Sequence, residues 1–292
     1  MELLFVRIAS LIAISLLYML FDLFNKRNIP SILAYGGLAY GLLLTLLYLN
    51  ATSIIMSFGI AAAVLAIGYG IYRAGMLGAG DVFEFATLSL VLPFQSVPLI
   101  IHNFQFGLPF IISLFLGSGI AALIMVPLYY IPRARSAMKK PIGRAIGRPQ
   151  LFKAALVGTV YILFLGFLII VLGTKLGGVI LMAIVAVGSF SVILFEVPIT
   201  NSMAKRISYK GFEEGDMVAL NLMEKSEINR IKRHVHSFNR LITKRMIKEM
   251  KDKGARYRIP VYKNAIPLAA PIFIGTLLSI LFGNLILLLL PF

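Results

Sequence analysis

Long apolar runs alternate with short polar or basic connections along most of the chain, and the runs are of membrane-spanning length. A helix of about 20 mostly apolar residues crosses a bilayer. Eight such stretches stand out: Leu3 to Phe21, Ile32 to Leu49, Ile54 to Ile71, Val82 to Ile101, Leu108 to Ile131, Ala154 to Leu172, Leu176 to Val197 and Ala265 to Leu290. Pro93 and Pro98 interrupt the fourth, which predicts a helix ending near Leu92 with an irregular segment after it. The polar stretch from Pro198 to Asn264 is too long to be a simple loop. Within it Ile228, Ile231, Val235, Phe238, Leu241, Ile242 and Met246 recur at helical spacing. That pattern predicts one amphipathic helix from Met223 to Lys251, apolar stripe on the inner leaflet and basic face outward. The expected fold is an all-α polytopic membrane protein of about eight transmembrane helices with a small cytoplasmic helical insertion.

The same pattern divides the chain into a core of helices over 1–131, a basic loop over 132–153, accessory helices over 154–197, a basic insertion over 198–264 and a last helix over 265–292. Of the 292 residues 59% are hydrophobic and 14% charged, which excludes an ordinary soluble domain. Charge then supplies an orientation, because short loops rich in Lys and Arg stay in the cytoplasm. Alternate connections hold 26 of the 28 basic residues, Arg7 and Lys175 being the others. This segregation places both chain ends outside, and the cytoplasmic ends of the first and fourth helices on one side. It also accounts for the net charge of +16, with anionic lipid headgroups rather than nucleic acid as the partner. The chain has no cysteine, so disulfides and thiolate metal sites are excluded. The first apolar stretch spans a bilayer and lacks a small-residue cleavage site, so it reads as a retained helix rather than a signal peptide.

Two acids interrupt this apolar background. Asp22 ends the first helix and opens the segment Asp22-Leu23-Phe24-Asn25-Lys26-Arg27-Asn28-Ile29-Pro30; Asp81 follows Gly78-Ala79-Gly80 at the start of the fourth. An acidic side chain at a helix centre in the bilayer costs roughly 2.5 to 3.5 kcal/mol, so acids in such segments suggest function. Each has an ordinary alternative account. Asp81 could merely favour a helix N-terminus, and Asp22 could pair with Lys26 four residues on. Their coincidence on one face favours chemistry: two carboxylates sharing a proton and a water can hydrolyse a peptide, one as base and the other polarising the scissile carbonyl. Gly78 and Gly80 leave room for a strand beside the acid. Pro30 separates the first two helices.

An Asp ending the first helix, then Lys-Arg-x-Ile-Pro, then Gly-x-Gly-Asp about sixty residues later, resembles the intramembrane aspartyl proteases. Among them it is most similar to the archaeal prepilin and preflagellin peptidases. Ser31 stands where that family commonly has Asn, and the spans and insertion beyond residue 131 exceed a minimal six-helix enzyme. The resemblance implies catalysis by Asp22 and Asp81, with support from Gly78, Gly80, Lys26, Arg27 and Pro30. It implies cleavage of the short basic leader from type IV pilin-like or archaellin precursors at the cytoplasmic face, with no cofactor. Glu84, three residues after Asp81 and on nearly the same helix face, is placed to tune the pair. Glu213, Glu214 and Asp216 are the candidates to meet a basic leader, and no acid and His cluster has metal-ligand spacing. Two alternatives stay open: a presenilin-like protease of broader range, against which Pro267-Leu268-Ala269-Ala270-Pro271 stands where that group has a Pro-Ala-Leu motif, and a proton- or ion-coupled transporter lined by Asp22, Asp81 and Glu84.

Overall fold

The computed structural model describes residues 2–25, 29–47, 50–74, 77–94, 109–137, 146–236, 238–253, 258–263 and 268–285. The apolar runs fold as α1 (Glu2–Phe24), α2 (Ser31–Leu46), α3 (Ala51–Arg73), α4 (Ala79–Val91), α5 (Phe110–Ala137), α6 (Arg148–Leu172), α7 (Leu176–Leu194) and, after the insertion, α11 (Ala269–Phe282). Five of these, α1, α3, α5, α6 and α7, are long and apolar enough to cross a membrane, while α2 and α11 are shorter apolar helices. The chain is thus a helical, multi-pass membrane protein.

The short α4 is the centre of the bundle. It packs against α1, α2, α3 and α5, and its residues from Glu84 to Val91 are all buried. Small residues on the neighbours permit this. A Cβ at Gly41 of α2 would meet Leu90, and one at Gly68 of α3 would meet Val82. The helix ends at Val91, where the sequence predicts a stop ahead of Pro93. Ending there leaves carbonyls that water cannot satisfy inside a bundle. Arg7 of α1, only 2% exposed, supplies the donors: Nη1 to the Val91 carbonyl at 2.8 Å and Nη2 to the Leu44 carbonyl at the end of α2. Thr45 Oγ1 adds a bond to the Leu90 carbonyl at 3.1 Å. A basic residue outside the segregated loops therefore has a structural task, tying together the C-terminal ends of two short helices.

Helix α11 lies against α5 and α1. Its closest approach is backbone on backbone: a Cβ at Gly117 of α5 would meet the Gly275 carbonyl oxygen at 2.8 Å, and one at Gly275 would strike the Ser118 amide. Helices α6 and α7 form a hairpin turned at Gly173, whose φ of 61° suits glycine. Only α7 of the pair packs closely on α5.

The insertion differs from the expectation of one surface helix. It contains α8 (Glu196–Met203), β1 (Lys205–Ser208), α9 (Lys225–His234), α10 (Lys244–Asp252) and β2 (Arg258–Val261), with β1 and β2 antiparallel in the register Lys205↔Val261 to Ser208↔Arg258. The segment read as one helix from Met223 to Lys251 is two, and Ile231, Val235, Phe238, Ile242 and Met246 are buried with Phe212, Val218, Ile259 and Val261 in a core of their own. The apolar stripe is therefore not offered to lipid. The break has a local cause. The Thr243 hydroxyl caps α10 by accepting from the Met246 amide, and residues ahead of it bond to the 215–218 turn through Ile242 N–H to Asp216 and Val218 N–H to Arg240. A helical period cannot distinguish one helix from two helices folded over a shared core. Truncating the fully buried Met246 to Ala is expected to cost this subdomain about 2 to 5 kcal/mol. Limited proteolysis is expected to cut first within 205–261 in that variant, with α1 to α5 left intact.

Candidate functional site

Asp22 sits in the last turn of α1 and is 6% exposed. Its Oδ2 accepts a hydrogen bond at 3.2 Å from the amide of Ala269, the first residue of α11. The N-terminal turn of a helix presents unpaired N–H groups and favours negative charge. Asp22 thus joins the first and last helices of the core.

Asp81 occupies the first turn of α4, and its Oδ2 accepts from the Gly78 amide at 3.0 Å. Both glycines of the motif have a steric reason. A Cβ on Gly78 would lie 2.9 Å from Asp81 Oδ2, and one on Gly80 would run into the side chain of Ile29. The Gly-x-Gly and Ile-Pro motifs therefore pack on each other, Gly80 receiving Ile29. Pro30 caps the start of α2, its carbonyl accepting from the amides of Leu33 and Ala34. Lys26 and Arg27 lie outside the described residues.

Both aspartates open on one cavity of about 710 Å³ at the ends of α1 and α4. Asn25, Ile29, Tyr72 and residues 77–80 form the helical side of its wall; residues 213–217 with Tyr262, Lys263 and Leu268 form the other. Glu213, Glu214 and Asp216, more than 130 residues from the motif in sequence, thus share the cavity with Asp22 and Asp81. Lys263 Nζ pairs with Asp216 at 2.7 Å and Glu213 at 3.3 Å, and Lys244 pairs with Glu214 at 3.2 Å.

Glu84 lies one turn deeper in α4 and does not line the cavity. It is fully buried, and neither carboxyl oxygen has a hydrogen-bond partner among the described residues. The carboxyl groups of Asp22, Asp81 and Glu84 interact electrostatically, so the three acids form one group rather than three isolated sites. Tyr18, one turn before Asp22 and fully buried, adds a polar tip to the same region, its hydroxyl donating to the Leu33 carbonyl at 3.4 Å. Sequence reasoning passed over Tyr18 and Ala269. Tyr18 carries a weak signal at four residues from Asp22; Ala269 acts through its backbone and carries none.

No curated protein and no solved structure matches the chain. The model of the type IV leader peptidase family matches residues 9–127, less than half of the chain but a stretch holding Asp22, Asp81 and the glycines between them. Over that stretch the chain is similar to the type IV leader peptidases, a family of proteases.

Proposed function

We propose that the chain is a membrane aspartyl endopeptidase that removes the short basic leader from type IV pilin-like or archaellin precursors at the cytoplasmic face. The observation that carries this reading is the cavity shared by Asp22 and Asp81, both of which lie inside the stretch similar to the type IV leader peptidases. One aspartate, ionised, takes a proton from a water; the other, protonated, hydrogen-bonds the scissile carbonyl as the tetrahedral intermediate forms. The Ala269 amide holds one oxygen of the Asp22 carboxyl and the Gly78 amide one oxygen of the Asp81 carboxyl. Glu84 supports the pair from beneath. The substrate's own apolar segment holds it in the bilayer, with the leader in the basic-loop compartment where α1 ends and α4 begins. The eight apolar helices cross the membrane, both chain ends outside, and the basic loops meet anionic headgroups.

Glu213, Glu214 and Asp216 receive the leader's positive charges, which suits their position opposite the aspartates. Cleavage of a panel of pilin-like precursors in membranes, read as a gel shift, tests the activity. A shortened product from at least one precursor supports it, and no product from any of them by folded protein contradicts it. Charge reversal of Glu213 and Glu214 together is expected to slow leader removal about tenfold or more. Unchanged processing by that double variant would remove these residues from the substrate site.

A further inference from the structure

The acidic side of the cavity already holds a cation that belongs to the chain itself. Lys263 lies two residues after β2, and its neighbour Tyr262 is fixed by a hydrogen bond from its amide to the Met217 carbonyl at 2.9 Å. The backbone next to Lys263 is therefore anchored to the same turn that carries Glu213 and Asp216. Val218 and Val261 pair beside it, which sets the 213–218 turn and the end of β2 side by side. From this fixed base the lysine side chain, 23% exposed, reaches Asp216, 13% exposed, and the outer Glu213. Lys263, Glu213 and Asp216 all line the cavity that contains Asp22 and Asp81. A lysine ammonium on a four-carbon stem can leave such a pair by rotamer changes alone, without moving the backbone that carries it.

We propose that Lys263 is an internal competitor of the substrate's leader, its ammonium occupying Asp216 and Glu213 at the wall of the active-site cavity until a leader cation displaces it. This inference rests on the peptidase reading and adds a control to it. A precursor with a cationic leader replaces one ion pair by another and gains entry. A membrane helix lacking such a leader has nothing to exchange for the Lys263 pair and is kept from the aspartates. The ion pair is thus a selectivity filter: its strength sets how much positive charge a leader must bring. No bond is made or broken in the exchange.

The test is binding of a fluorescein-labelled tri-lysine peptide, with a tri-glutamine peptide as its counterpart, to the full-length detergent-solubilised protein, read by anisotropy. Lys263→Met is expected to bind the lysine peptide about fivefold more tightly than the wild type, as removal of a partly exposed competing pair implies, and the glutamine peptide no differently. Lys263→Arg is expected to restore wild-type affinity. Asp216→Asn is expected to weaken the lysine peptide and remove its advantage over the glutamine one. Equal or weaker binding by Lys263→Met and Lys263→Gln overturns the proposal, and a lowered melting temperature in both without a gain in affinity assigns Lys263 to stability alone. The two readings fail separately. A lysine peptide bound in the expected order, with no pilin-like precursor cut, leaves the competitor standing and counts against the peptidase. Precursor cut normally, with no gain in affinity on Lys263→Met, does the reverse.

Discussion

Asp22→Asn and Asp81→Asn are each expected to lower leader cleavage by at least about a thousandfold, and the double variant no further than either single one. Non-additivity is the informative part. Two acids that share one proton and one water form a unit, and removing either disables both roles. Asn keeps the shape of the side chain and its capacity to accept from the Ala269 or Gly78 amide, so both proteins are expected to fold. Matched melting curves and equal yields from membranes check this. Losses that multiply in the double variant would mean that the two acids act in separate steps.

The second large effect falls on packing. Gly275→Leu is expected to destabilise the core by more than about 1 to 3 kcal/mol, the usual range for overpacking, because its Cβ would meet the Ser118 backbone. Backbone cannot rotate aside as a side chain can, so α5 and α11 must separate. That movement carries the Ala269 amide away from Asp22, and cleavage is expected to fall even in the fraction that remains folded. Gly119→Leu, two residues along α5 from Gly117, is the control: a Cβ there meets nothing within 4 Å. Its melting temperature in detergent is expected to match the wild type.

The parts legible in the sequence were those written in local patterns. Spanning runs, the stop after α4 and the placement of Asp22 and Asp81 at helix ends follow from hydropathy, proline and positive charge over a few residues each. The acidic trio Glu213, Glu214 and Asp216 stood out in the sequence, but its position on the same cavity as the aspartates did not. What escaped lies in long-range partnerships. Arg7 bonds to carbonyls 37 and 84 residues away, and the amide holding Asp22 comes from 247 residues on. Backbone donors leave no mark on residue identity. The insertion misled for another reason: helical spacing specifies which side chains are buried together, not whether lipid or a β-pair buries them. Its placement, as one wall of the cavity shared by Asp22 and Asp81, depends on a tertiary fold that periodicity does not encode.

Mass spectrometry of the products formed from a purified pilin-like precursor, co-reconstituted with this protein in liposomes, tests the central claim most directly. The expected result is one cut between the basic leader and the apolar segment, with the leader released on the side bearing the basic loops and no product from Asp22→Asn or Asp81→Asn. Cuts scattered through the apolar segment, release on the opposite side, or undiminished cleavage by either Asn variant would contradict it.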